Sequence, residues 1–237
     1  MGRKNYTRET FKTREEWLNA RGLGGSSASA ILGDSPYENR IELLEKIVLP
    51  KEEHVEDKTN EEAKQHGNIA EPALRTIFKA NHPNYKVMPP KANEMYRRKD
   101  KPYLTATLDG KLIDELNKKG FIECKTRQVR RKSDLEEWLD ANGKPTVLPQ
   151  RYFDQVIHYF NVLNDMEYCW VVVELQFYTF NGEKEELDHC EIYFYYIERS
   201  KVANSIKALD YIETDFWENE VEAKRLPNII INLPNIL

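Results

Sequence analysis

Apolar residues recur along the chain in two spacings, and the switch between them sets the expected order of elements. Over residues 10–20, Phe11, Trp17 and Leu18 share one side, which predicts a short amphipathic helix. A glycine turn, Arg21-Gly22-Leu23-Gly24-Gly25, runs into Ser26-Ser27, hydroxyl residues suited to capping a second short helix. Residues 37–48 continue helically through Ile41, Leu44 and Val48. From Asn60 to Ala80 the spacing predicts a long helix with Ala63, Gly67, Ala70, Leu74, Ile77 and Phe78 inward. Pro50 to Lys58, between these two helices, is a charged link.

The pattern then changes to a two-residue alternation. Tyr85 to Met88, Glu94 to Arg98, Leu104 to Leu108, Lys111 to Asp114 and Gly120 to Thr126 read as short strands. Asp109-Gly110 predicts a hairpin turn, and the set reads as an antiparallel meander. Helical spacing returns at 133–140 and more strongly at 150–163. Two long strands follow, Tyr168 to Tyr178 and Cys190 to Ile197, linked through Asn181-Gly182, and a last helix spans Ser200 to Glu222. This order predicts an α/β fold (mixed α+β) with a central mixed sheet flanked by helices on both faces. One domain over 1–237 is expected, with N-terminal helices at about 10–50, a core at about 60–200, and a C-terminal helix and tail at 200–237. In that tail Leu-Pro-Asn-Ile occurs at 226–229 and 233–236, too few copies for a repeat architecture. Asn228 to Leu233 is apolar, β-branched and uncharged, so it needs cover from its own core or from a neighbouring subunit.

Composition narrows the class. With 40% hydrophobic and 32% charged residues, the 237-residue chain is neither collagen-like nor wholly disordered. The longest apolar run, Tyr168 to Val173, falls far short of the ~20 residues of a membrane span. The start, Met1 to Tyr6, is basic but has no apolar stretch of a secretory signal, and Tyr6 does not suit myristoylation. Cys124, Cys169 and Cys190 are odd in number and lack CxxC spacing, which fits a reduced, cytoplasmic protein. The net charge of −5 argues against a non-specific nucleic-acid coat, because phosphate binding is driven by Lys and Arg. Basic residues nevertheless cluster at Arg3, Lys4, Arg8, Lys12 and Arg14, and again at Lys125, Arg127, Arg130, Arg131 and Lys132.

Candidate chemistry centres on Gly120-Phe121-Ile122-Glu123-Cys124-Lys125-Thr126. On a strand, Glu123 and Lys125 share a face while Cys124 points the other way. A carboxylate and an ammonium side by side can serve a metal and an attacking water, and equally can be a plain surface ion pair. Asp109 alone is a turn residue; beside Glu123 it offers a second oxygen ligand for a hard cation such as Mg²⁺. Glu71, in His66-Gly67-Asn68-Ile69-Ala70-Glu71-Pro72, is a third available acid. Gln155 and Tyr159 lie one helical turn apart, and a glutamine on an apolar face must find a buried partner or a cleft. His158 lies off that face and reads as a structural or exposed histidine.

In order and spacing, Gly67…Glu71, Leu108-Asp109-Gly110, Glu123-Cys124-Lys125 and Gln155…Tyr159 resemble the successive motifs of the PD-(D/E)xK nuclease superfamily. The similarity is to its lambda-exonuclease-like branch, the YqaJ-type viral recombinase nucleases. Trp17…Arg21…Leu23-Gly24-Gly25-Ser26…Ser35-Pro36-Tyr37 is similar to the opening motif of that branch, and the resemblance covers roughly 15–165. Leu108 stands where the superfamily pattern has Pro. The resemblance implies a restriction-endonuclease-like core acting as a Mg²⁺-dependent 5′→3′ exonuclease on linear double-stranded DNA, with Mn²⁺ as a substitute. Asp109, Glu123 and the Cys124 carbonyl would hold the metal, with Glu71 completing or tuning the site. Lys125 would orient or deprotonate the attacking water, and Gln155 would position it or Lys125. Arg21 with Ser26 or Ser27 would grip the 5′-phosphate at a helix N-terminus. Arg127, Arg130 and Arg131 would contact backbone phosphates, or form an ordinary solvated loop. Implied partners are DNA ends, two further copies in a ring-shaped homotrimer, and a single-strand annealing protein in phage-type recombination, in the host cytosol if phage-encoded. A PD-(D/E)xK endonuclease and a catalytically inactive DNA-end-binding module are the alternatives. An iron–sulfur variant is excluded, since three scattered cysteines cannot supply four ligands.

Overall fold

The computed structural model describes residues 4–49, 61–182 and 184–225. The charged link from Pro50 to Lys58, the Leu-Pro-Asn-Ile copies, the Asn228–Leu233 segment and the first three residues lie outside the described residues, as does the side chain of Ala63.

Strand β1 (Tyr6–Thr10) precedes helices α1 (Arg14–Ala20), α2 (Gly25–Leu32), α3 (Arg40–Val48) and α4 (Glu61–Asn81). Strands β2 (Lys86–Met88), β3 (Glu94–Arg98), β4 (Thr105–Ala106), β5 (Gly110–Ile113) and β6 (Lys119–Val129) follow. Then come α5 (Lys132–Glu136), α6 (Gln150–Val162), β7 (Tyr168–Phe180), β8 (Glu185–Glu198) and α7 (Ala203–Phe216), the last continued by a wider-wound turn over Trp217–Glu222.

The main sheet has the order β2-β5-β6-β7-β8. Its β6–β7 pair is parallel from Gly120↔Tyr168 to Val129↔Phe177, and α6 supplies the crossover such a pair requires. The other pairs are antiparallel. Alternation along β6 divides the core. Ile122 and Cys124 pack with Ala70, Leu74 and Phe78 of α4, whereas Phe121 packs with the α6 side chains Val156, Ile157 and Phe160. Burying a large apolar side chain contributes roughly 1.5–3 kcal/mol, so two such layers clamp β6 from both sides. The mixed α/β fold with helices on both faces is therefore present.

Three local expectations are corrected. The helix expected over 10–20 starts at Arg14, because Thr13 caps it: its Oγ1 accepts from Glu16 N at 3.1 Å while Glu16 accepts from Thr13 N. Thr10 instead ends β1, which pairs with β3. Asp109-Gly110 is not a hairpin turn, and the strands are not one meander. β4 joins β3 in a separate sheet of order β1-β3-β4, while β5 opens in the main sheet against β2 and β6. The chain crosses between sheets at Leu108-Asp109, and Gly110 enters β5 without the positive φ that a two-residue hairpin turn demands.

Candidate active site

The crossing places Asp109 beside the middle of β6. Gly110 allows the close approach: a Cβ there would lie 2.8 Å from Ile122 Cγ2 and 3.2 Å from the Met88 carbonyl oxygen. β5 pairs with β6 only as far as Ile122, so beyond it one edge of β6 is open. There the Cys124 N–H donates to Asp109 Oδ2 at 2.7 Å. The N–H and C=O of one strand residue point to the same edge, so the Cys124 carbonyl faces this side too. Arg75, on α4, donates to the Asp109 carbonyl at 2.8 Å and lies 3.8 Å from Glu71.

Glu123 and Lys125 share the other face of the strand, as alternation predicts. Lys125 Nζ donates to Glu123 Oε1 at 2.7 Å and to Gln155 Oε1 at 2.9 Å. Gln155 Nε2 donates to the same Glu123 oxygen at 2.5 Å and lies 3.0 Å from the Tyr159 hydroxyl. The glutamine on the apolar face of α6 thus has its buried partners. Glu123 is only 2% exposed, and its Oε2 has no hydrogen-bond partner.

Electrostatics show what the cluster lacks. Burial first, and Asp109 next, push the Glu123 carboxyl up to about 8. Burial and then Asp109 raise Glu71 to about 7, and burial raises Asp109. For Lys125, burial works against the ammonium, but Glu123 and Asp109 outweigh it and hold its pKa above the ordinary lysine value. Three acids thus face Lys125 and Arg75, and a buried carboxylate oxygen left unpaired costs ~1–3 kcal/mol or more. Hard oxygen donors whose ionised form lacks enough counter-charge fit a divalent cation. Among the described residues, no three His, Cys, Asp or Glu side chains form a ready cation cluster. Asp109, Glu123 and the Cys124 carbonyl are the donors that could hold such a cation, with Glu71 acting on them through charge.

The N-terminus of α2 abuts this site. A Cβ on Gly25 would lie 2.5 Å from Gln155 Cγ and 2.8 Å from the Tyr159 ring, so the contact needs glycine. Ser27 is buried and its Oγ accepts from Gly24 N at 3.2 Å, whereas Ser26 is exposed. Of the two candidate serines, Ser26 is the one open to a ligand. Arg21 is exposed, with its guanidinium 4.9 Å from the Trp17 ring centre. The basic run is less available. Arg127 lies 3.5 Å from Asp134, Arg130 lies 2.6 Å from Glu185, and Arg131 is exposed.

Two neighbours of the site had no motif to mark them. Arg75 is four residues after Glu71, an i,i+4 signal, but its bond to Asp109 depends on the tertiary fold. Tyr152 places its ring 5.0 Å from Lys125 Nζ, one turn before Gln155. His158 is structural: it is fully buried, paired with Glu213, and its Nε2 lies 2.8 Å from the Thr105 carbonyl oxygen.

Comparison with known proteins gives the family. The protein-family model described as the YqaJ-like viral recombinase domain matches residues 16–165. An uncharacterized protein YqaJ of Bacillus subtilis (strain 168) is 32% identical over 155 residues, 64% of this chain. The match spans 43% of that relative, less than half of its length. Among solved structures, LHK-Exo in complex with dAMP is similar over 90% of this chain and 100% of its own, at a TM-score of 0.46 and 16% identity. No helix among the described residues is long and apolar enough to cross a membrane. The family match covers more than half of the chain, its boundaries enclose every element that builds the site, and the chain belongs to the YqaJ-like viral recombinase family.

Proposed function

We propose that the chain is a metal-dependent deoxyribonuclease that degrades linear double-stranded DNA in the 5′→3′ direction. Its place would be phage-type recombination, supplying single strands to an annealing protein in the cytoplasm. The observation that carries the reading is the unpartnered, buried Glu123 Oε2 beside Asp109, in a cluster short of positive charge. Mg²⁺, or Mn²⁺ in its stead, would be held by Asp109, Glu123 and the Cys124 carbonyl. When bound, such a cation supplies Lewis acidity, lowering the pKa of a water and offsetting charge on the scissile phosphate.

The protein's own groups do the rest. Lys125, held against Glu123 and Gln155, would orient or deprotonate the attacking water and meet phosphate charge. Gln155 holds Lys125 and Glu123 in register through its two amide atoms. Glu71 adjusts the charge of the site from α4. Arg21 and Ser26, at the N-terminus of α2, would grip the terminal 5′-phosphate through charge-assisted hydrogen bonds. Assembly as a homotrimeric ring around the duplex would let an acidic protein stay on DNA with few phosphate contacts.

The test is digestion of linear duplex labelled separately at each end, with Mg²⁺ and with EDTA. Loss of label from the 5′ ends, abolished by EDTA, is the expected result. Asp109→Ala, Glu123→Gln and Lys125→Ala should each lower cleavage by at least ~100-fold with unchanged circular dichroism. Nicking of closed circular plasmid would establish an endonuclease instead. Binding of ends without cleavage would establish an end-binding module.

A further inference from the structure

A cleft of about 240 Å³ opens at the far end of the main sheet, where β1 and β3 pass over β5 and the start of β6. Its floor is apolar, with Met88, Ile113 and Met166 among the lining side chains. Lys111 pairs with Phe121 and Ile113 with Lys119 across β5–β6, so the cleft lies on the sheet face that carries Glu123. Lys119 is four residues before Glu123, or ~13 Å along the strand.

The rim is cationic. Lys4, Arg8, Lys111 and Lys119 all border the opening. Two carboxylates serve them: Asp165 lies 2.8 Å from Lys119 and 3.9 Å from Lys4, and Glu94 lies 3.2 Å from Lys111 and 3.8 Å from Arg8. Both acids are almost wholly buried, and both also accept from tyrosine hydroxyls, Asp165 from Tyr6 and Glu94 from Tyr96. Four cations over two carboxylates leave two positive charges at the mouth. That surplus suits a phosphate, which carries ~−1.5 to −2 as a monoester at neutral pH and a single negative charge as a strand diester. The space is smaller than the ~300–1,000 Å³ of drug-sized sites, so it admits one ring system and no long chain.

We propose that this cleft is a nucleotide-binding site, taking a base on its methionine-lined floor and a phosphate on its lysine and arginine rim. The chemistry is shared by a free nucleoside monophosphate and by one unit of a DNA strand crossing the sheet face. The proposal does not depend on the nuclease reading, because binding is measured in EDTA without turnover.

The full-length protein with ¹³C-methyl methionine is titrated with deoxycytidine 5′-monophosphate in EDTA. The chain has four methionines, Met1, Met88, Met95 and Met166, and the shifts should fall on Met88 and Met166 while Met1 stays still. Deoxycytidine alone and inorganic phosphate alone should each bind at least tenfold more weakly. Lys4→Glu and Arg8→Glu, both at half-exposed positions, should weaken binding at least tenfold with unchanged circular dichroism. Competition by a deoxycytidine pentamer without terminal phosphates assigns the site to a strand, and binding of the monophosphate alone assigns it to free nucleotide. Either result upholds the site. Failure of both ligands to move Met88 and Met166, equal binding of inorganic phosphate, or indifference to both charge reversals would overturn it.

Discussion

Replacing Glu123 with glutamine should stop cleavage and yet stabilise the metal-free protein. An unfolded glutamate loses its proton near pH 4.5, whereas the folded Glu123 carboxyl holds its proton up to about 8, by burial and then by Asp109. Between those values the folded state binds more protons than the unfolded one. Stability therefore falls as pH rises through that window, by ~1.4 kcal/mol per pH unit. At pH 7 the accumulated loss, over about 2.5 pH units, is ~3 kcal/mol. Glutamine at 123 carries no charge, and its amide can still accept from Lys125. At pH 7 the wild-type carboxyl is itself uncharged, so what glutamine forfeits is only a better-fitting hydrogen bond to the ammonium, for which ~1 kcal/mol is a fair discount. The net gain is ~2 kcal/mol, or ~4–8 °C in Tm for a chain of this size. Urea and thermal unfolding in EDTA measure it at pH 7 and again at pH 5, where about half a pH unit leaves no net advantage. Mg²⁺ should then raise the Tm of the wild type and leave Glu123→Gln nearly unmoved. If Glu123→Gln melts at or below the wild type at pH 7 in EDTA, the shortage of counter-charge inferred for the site is absent.

Three further outcomes are expected. Linear duplex with a 5′-phosphate should be digested faster than the same duplex with a 5′-hydroxyl, and Arg21→Ala should erase the difference while sparing turnover on phosphate-free ends; equal wild-type rates leave Arg21 a structural partner of Trp17. His158→Ala should lower stability by ~3 kcal/mol, because it leaves the fully buried Glu213 with Asn161 and no cation. Burial opposes charge on His158 but Glu213 outweighs it, so this contribution is complete below about pH 6.5 and fades as pH rises through the elevated folded pKa; a loss independent of pH speaks against a charged pair. Light scattering at micromolar concentration should report about three times 28.0 kDa, and a monomer that digests DNA distributively removes the ring.

What was legible in the sequence, and what was not, follows the range of the interaction involved. Strand alternation alone sends Glu123 and Lys125 to one face and Cys124 to the other, and helical period alone sets Gln155 over Tyr159; both relations hold in the fold because each is local. Asp109 shows the limit of such reasoning. An Asp-Gly pair between two short apolar runs carries the signal of a hairpin, and nothing nearby reveals that β4 leaves for another sheet. The partner of a two-residue strand is chosen by tertiary packing, here by β3 and by the Leu23–Leu104 bridge that ties the glycine turn to it. β1 escaped for a related reason: Tyr-Thr-Arg-Glu-Thr is polar and largely exposed apart from Tyr6, so its pairing with β3 leaves almost no hydrophobic pattern. The choice between Ser26 and Ser27 was likewise closed to composition, since it depends on which hydroxyl the Gly24 N–H engages. The site is thus assembled from two locally readable pieces, the Glu-x-Lys strand and the glutamine helix. Two placements only the fold reveals complete it: Asp109 at the open edge of β6, and the α2 N-terminus fitted against Gln155 because residue 25 has no side chain. Any substitution at Gly25 should accordingly damage cleavage through Gln155 even though glycine contributes no chemistry, and Gly25→Ala with wild-type rates would show that α2 can withdraw from the site without consequence.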